Sequence, residues 1–387
     1  MQKEFKDLFY IKEGLTFLNA GSFGACPKPI LKKYQELQIE FEQDPVQFYT
    51  VTGPAYLNES RKVLGKYLNT QEDNLVYVTN PSYAVNIVAK SFPLQKDDEV
   101  LATSLEYGAC DRTWKYYCLQ KGAHYIQQPI TLPIASKEDF ISDFVKGIST
   151  RTKLIFISHI TSSTALKLPV EEICKIANEK GIPVFIDGAH APGQTALNLD
   201  TLGASFYTGA CHKWMLTPKG SAFLFAVPEW QNILDPLTIS WGYHSDTPSH
   251  SQFIDYHQMQ GTRDFSAFLT VPFAIDFLNQ YQWETISAGC RQLVQQNAPR
   301  FLELMDRQAL APLNDDFILQ LFSIPIVTDD AMALHDLFYK QYQIQIPIST
   351  LGNQHFIRYS IQAFNTQNDL DRLYEAMVEL KEKKVIR

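Results

Sequence analysis

The chain has 387 residues, 45% of them hydrophobic, a formal net charge of −8 and six cysteines, none in CxxC spacing. That length exceeds one average domain and fits two domains better than three small modules, and an acidic balance without a long basic run argues against nucleic acid as the main partner. No stretch approaches the roughly 20 apolar residues that span a bilayer. The N-terminal MQKEFKDLFYIKEGLTF also lacks an apolar signal core, so a soluble, cytoplasmic protein with reduced thiols is expected.

From residue 75 the chain alternates apolar, strand-like runs with amphipathic ones. LVYVT (75–79) precedes a helix-like AVNIVAKSF, and EVLATSL (99–105) precedes CDRTWKYYCLQKG with its glycine stop. HYIQQPI (124–130) leads into EDFISDFVKGI. KLIFISHI (153–160) leads into PVEEICKIANEKG, where proline at entry and glycine at exit punctuate a helix. PVFIDGA (183–189), SFYTGAC (205–211) and SAFLFAV (221–227) complete the strand set. Near-continuous apolar strands alternating with helices predict a mostly parallel sheet covered on both faces.

Beyond about residue 275 the pattern changes. AIDFLNQYQWETI and QNAPRFLELMDRQ read as helices, FILQLFSIPIV as a strand, and 356–384 as strand, turn and terminal helix. The expected architecture is therefore α/β, with a smaller α+β C-terminal domain. The expected limits are an N-terminal arm over 1–20 packing on the small domain, a large domain over 21–275, and the small domain over 276–387.

In an open parallel sheet, ligands sit beyond the carboxyl ends of the strands. Here those ends carry Asn80-Pro81-Ser82-Tyr83, then Glu106-Tyr107, Thr161-Ser162-Ser163, Asp187 through His190, and His212-Lys213. An anion site, a carboxylate, imidazoles and a lysine converge, and no GxGxxG dinucleotide fingerprint is present. That set suits pyridoxal phosphate. Lys213 is the candidate Schiff-base lysine, Asp187 pairs with the pyridine nitrogen, and Ser82 with the Tyr83 amide forms a helix-start phosphate cradle. The rival readings are a metal hydrolase on His159, His190 and His212, which lacks close ligand pairs such as HExxH, and a non-catalytic scaffold. No metal is expected.

LNAGSFGACPKPI (18–30), YVTNPSYAVN (77–86), LEYGACDRTW (105–114), SHITSSTALKLPV (158–170), FIDGAHAPGQ (185–194), YTGACHKWMLTPKGSAFL (207–224), QGTRDFSAF (260–268) and IRYSIQAFNT (357–366) occur in that order. Together they resemble the class V aminotransferase group of fold-type I pyridoxal-phosphate enzymes, in particular its isopenicillin N epimerase-like branch. The resemblance implies that His190 lies beside the cofactor's phenolic oxygen and that His212 joins the phosphate cradle. It implies that Tyr107 stacks over the ring, that Ser162 touches cofactor or substrate, and that Thr262 reaches the phosphate of a neighbouring subunit, making the active unit a homodimer. Arg358 takes the position that grips an amino-acid carboxylate.

The implied reaction is work at Cα or Cβ of an amino-acid-like substrate, as racemase, epimerase or transaminase, with β-elimination or C–S cleavage as the alternative. A cysteine desulfurase is disfavoured because 342–356, before Arg358, holds no cysteine. Pro81, Tyr83 and the Ala210-Cys211 pair depart from the branch pattern and leave the substrate open.

Overall fold

The computed structural model describes residues 2–387. Seven strands build the central sheet: β1 Leu75–Val78, β2 Glu99–Thr103, β3 His124–Gln128, β4 Thr152–Ser158, β5 Val184–Asp187, β6 Phe206–Ala210 and β7 Ala222–Ala226. Their order is β1-β7-β6-β5-β4-β2-β3, parallel throughout except that β7 runs antiparallel to both of its neighbours. The expected α/β class with a mostly parallel sheet is what forms.

The strands read as continuous apolar runs because both faces of the sheet are covered. Ile155, Ile157, Val184 and Ile186 face one core, while Leu154, Phe156 and Phe185 face the other. Each such side chain contributes roughly 1.5–3 kcal/mol by leaving water. The connecting helices start and stop where local chemistry dictates. Asn80 caps the helix Pro81–Ser91 through its side chain, with proline at the first turn, and Gly122 closes Gly108–Lys121 in a left-handed conformation.

The C-terminal region holds a three-stranded antiparallel sheet, β9 Ile348–Leu351, β10 Gln354–Ser360 and β8 Leu321–Ile326, in the order β9-β10-β8. Thr16–Phe17 pairs with Ile344–Gln345, which ties the N-terminal stretch to this region. A capping box of Thr366 and Asp369 opens the terminal helix Gln367–Glu382.

Two sequence expectations are corrected here. The stretch 274–286 is not one helix: Val271–Gln280 ends, Gln282 turns left-handed at φ 49°, and a new helix starts at Trp283. That helix runs unbroken to Met305 and absorbs the one expected to begin near residue 296, with Pro299 inside it. Residue 275 itself lies inside Val271–Gln280, which packs on the helix Gly53–Leu68.

Candidate active site

Parallel order brings the carboxyl ends of β4, β5 and β6 side by side, with Ser158 opposite Asp187 and Asp187 opposite Thr208. Past β6 the chain enters a buried turn that carries His212, Lys213 and Trp214 before returning as β7. Two glycines clamp this turn. A Cβ on Gly24 would lie 2.0 Å from the His212 carbonyl, and one on Gly193 would lie 2.4 Å from that of Trp214. Both have positive φ, 68° and 91°, so glycine suits each position on two counts.

The half-buried Lys213 amine stands 3.3 Å from His190 Nε2. Burial pulls its pKa down to about 8, and Arg358 pushes the same way against the opposing pull of Asp187. Asp187 is buried. It accepts from the Ala189 amide at 3.0 Å and from the Cys110 thiol at 3.5 Å, and burial raises its pKa despite these bonds and Lys213. His190 is buried and neutral, its basicity lowered first by desolvation and then by Lys213, Arg358 and His212. Its Nδ1 accepts from the Trp214 indole at 3.3 Å. His212 donates from Nδ1 to the Ser221 carbonyl at 2.8 Å.

Arg358, on β10, is buried within electrostatic reach of Lys213 and His190. It donates to the Ser162 carbonyl at 2.7 Å, the Ser162 hydroxyl at 3.1 Å and the Ser22 hydroxyl at 3.0 Å, while Nε has no partner. None of those acceptors is a carboxylate. Burial brings its pKa down to about 10, as a guanidinium short of counter-charge requires.

The remaining candidates fall in different places. Ser82 lies in the first turn of Pro81–Ser91, but the Tyr83 amide is already taken by Asn80 Oδ1 at 2.9 Å. Tyr107 precedes the helix Gly108–Lys121 with 47% of its surface exposed and lies within electrostatic reach of Arg358. Thr262 is exposed in the turn after Gln252–Gln258. Of the rival metal set, His159 turns its Nδ1 to the Tyr207 hydroxyl at 3.0 Å, and His212 is engaged by Ser221.

Four further residues join the candidate site without having been given a role from sequence, although Glu106 was placed at a strand end. Ser22 and Trp214 stood inside quoted motifs, and Cys110 lies behind Asp187. Glu106 is buried between the Thr103 hydroxyl at 2.6 Å and the Ser158 hydroxyl at 2.5 Å. Burial raises its pKa to about 7, against those bonds and with help from Asp187. Its signal was a glutamate closing an apolar strand end.

The donor set suits pyridoxal phosphate. A buried carboxylate held by only a thiol and an amide has room for a protonated ring nitrogen. A desolvated amine stands nearby, and a buried guanidinium lacks an anion. Comparison with known proteins agrees. The family model described as Aminotransferase class-V matches residues 26–373. An isopenicillin N epimerase from Amycolatopsis lactamdurans is 30% identical over 381 residues, covering 95% of both chains. A probable chloroplastic L-cysteine desulfhydrase from Arabidopsis thaliana is 26% identical, covering 93% of this chain and 82% of its own. An apo cysteine desulfurase from Thermococcus onnurineus NA1 shares the fold, with a TM-score of 0.81 at 17% identity and 98% coverage of both chains.

Proposed function

The chain belongs to the aminotransferase class-V family of pyridoxal-phosphate-dependent enzymes, and we propose that it acts at Cα of an α-amino acid, with Lys213 as the reactive amine and Arg358 as the carboxylate anchor. The observation that carries this reading is the pairing of a desolvated lysine beside a neutral histidine with a buried, unpaired guanidinium. Bound pyridoxal phosphate supplies an aldehyde for the substrate amine and a ring that draws electrons from Cα.

The chain's own groups do the rest. Lys213, held partly neutral near pH 8, can accept the Cα proton and return it. Asp187 keeps the ring nitrogen protonated, because a buried carboxylate favours a cation beside it. Neutral His190 would offer an N–H to the phenolic oxygen. Ser82 and His212 would hold the phosphate, and Tyr107 would cover the ring. Arg358, oriented by Ser22 and Ser162, takes the substrate carboxylate in a forked grip that a lysine does not offer. Thr262, exposed in the turn after Gln252–Gln258, is the residue through which each subunit of a homodimer would complete the other's phosphate site.

Racemase, epimerase or transaminase chemistry is supported by the epimerase relative along nearly the whole chain. A lyase reading, C–S cleavage or β-elimination, has equal standing because desulfhydrase relatives also align over most of it. Desulfuration through a protein thiol is disfavoured. Five of the six cysteines are buried, and burial pushes the half-buried Cys26 thiol up to about 12, far from a reactive thiolate. A panel of L- and D-amino acids in deuterated water separates these readings. Exchange at Cα with inversion marks an epimerase, keto acid a transaminase, and sulfide with pyruvate a lyase. No exchange at Cα with any amino acid removes the proposal.

A further inference from the structure

Trp214 follows Lys213 directly and its side chain is fully buried. Its indole nitrogen lies 3.3 Å from His190 Nδ1, and His190 Nε2 lies 3.3 Å from the Lys213 amine. An indole N–H can only donate. His190 Nδ1 must therefore accept, which leaves the single proton of a neutral imidazole on Nε2, pointing at the amine. The ring is also held from its own backbone, where Gln194 donates to the His190 carbonyl at 2.6 Å.

We propose that Trp214 is a positioning residue that fixes His190 in the Nε2–H form, so that the imidazole is a donor, never an acceptor, toward Lys213 and the group bound there. An ammonium has three N–H bonds and no lone pair, so it cannot accept from Nε2–H, whereas a neutral amine can. The lock therefore favours the nucleophilic form of the lysine. It also presents a donor to any oxyanion that replaces the amine in front of the imidazole. If the indole N–H is lost, the histidine proton is free to move to Nδ1, and Nε2 can then accept from the ammonium.

The other charged or titratable groups around this pair are Asp187, Arg358, Cys110 and His212. Burial, and then Lys213, Arg358 and His212, oppose protonation of His190, so a doubly protonated imidazole does not supply the same hydrogen bond. Asp187 pulls Lys213 toward the ammonium and Arg358 pulls it away. None of these groups touches His190 Nδ1, and the indole alone decides the tautomer.

The inference rests on Lys213 being the reactive amine, but its test reads the imidazole directly. The full-length chain, labelled with ¹⁵N-histidine and prepared without and with cofactor, is observed by two-bond ¹⁵N–¹H correlation. The His190 signals are those lost in His190→Gln. The Nε2–H pattern is expected in the cofactor-free chain, and a mixture of tautomers in Trp214→Phe. In parallel, the pH midpoint for amine modification of Lys213 in the cofactor-free chain should rise by roughly 0.5–1 unit in the phenylalanine variant. An Nδ1–H or doubly protonated His190 in the wild type overturns the proposal, and that result needs no variant to fold. A midpoint that does not move in a folded Trp214→Phe overturns it as well. Failure of the Lys213 assignment is a separate event, visible as a cofactor attached to another lysine while the tautomer stands.

Discussion

The two ends of the site are built on different principles. At the Lys213 end, the charged groups follow the strand ends of one sheet, with Cys110 added from the helix Gly108–Lys121, and opposite charges act on one amine: Asp187 draws Lys213 toward the ammonium while burial draws it away. At the Arg358 end, three distant stretches meet. Ser22 from the N-terminal segment, Ser162 from the turn after β4 and Arg358 from β10 hold one cation with neutral oxygens. The first end is nearly balanced without substrate. The second is short of one negative charge, which the carboxylate of the proposed amino-acid substrate would bring.

Removing the amine is the largest break. Lys213→Ala should lower turnover by about 10³-fold or more, since it deletes the proposed nucleophile and base. Single-turnover absorbance measurements with a reactive amino acid check this. Arg358→Ala should lower kcat/KM by roughly 10²–10³-fold while cofactor affinity changes little, which parallel titrations of cofactor and amino acid test. Equal loss of both would erase the distinction between the two ends.

A smaller effect concerns the floor of the Lys213 end. Glu106 has a folded-state pKa near 7 against an ordinary value of 4.5. Between those values the unfolded chain ionises while the folded chain stays protonated, so the glutamate costs stability as pH rises from 4.5 to 7. Glu106→Gln should remove that loss and gain roughly 2–4 kcal/mol above pH 7. Denaturant titrations at pH 4.5 and 7.5 measure it, and a variant that tracks the wild type at both values removes the buried-acid account.

The Lys213 end was legible in sequence because strand ends announce themselves. A run such as PVFID closing on a carboxylate, and a His-Lys pair between two apolar runs, violate burial rules unless chemistry explains them. Much of the N-terminal framework was not legible. The helix Lys28–Gln43 buries only Ile30 and Leu37, too sparse a stripe for periodicity to register. The break at Gln282 was hidden because a left-handed turn there is made without glycine or proline. Arg358 was found only through a motif, since its meeting with Ser22, 336 residues earlier, is a property of the fold. Trp214 was in view beside Lys213, but its role depends on a ring-to-ring distance that no spacing encodes.

One ε-amino group, that of Lys213, is expected to hold the cofactor. Borohydride reduction of the yellow holoenzyme followed by peptide mapping tests it most directly. A pyridoxyl mass on the peptide containing His212-Lys213-Trp214, absent in Lys213→Ala, is the expected result. The same mass on a different lysine, or on none, would contradict it.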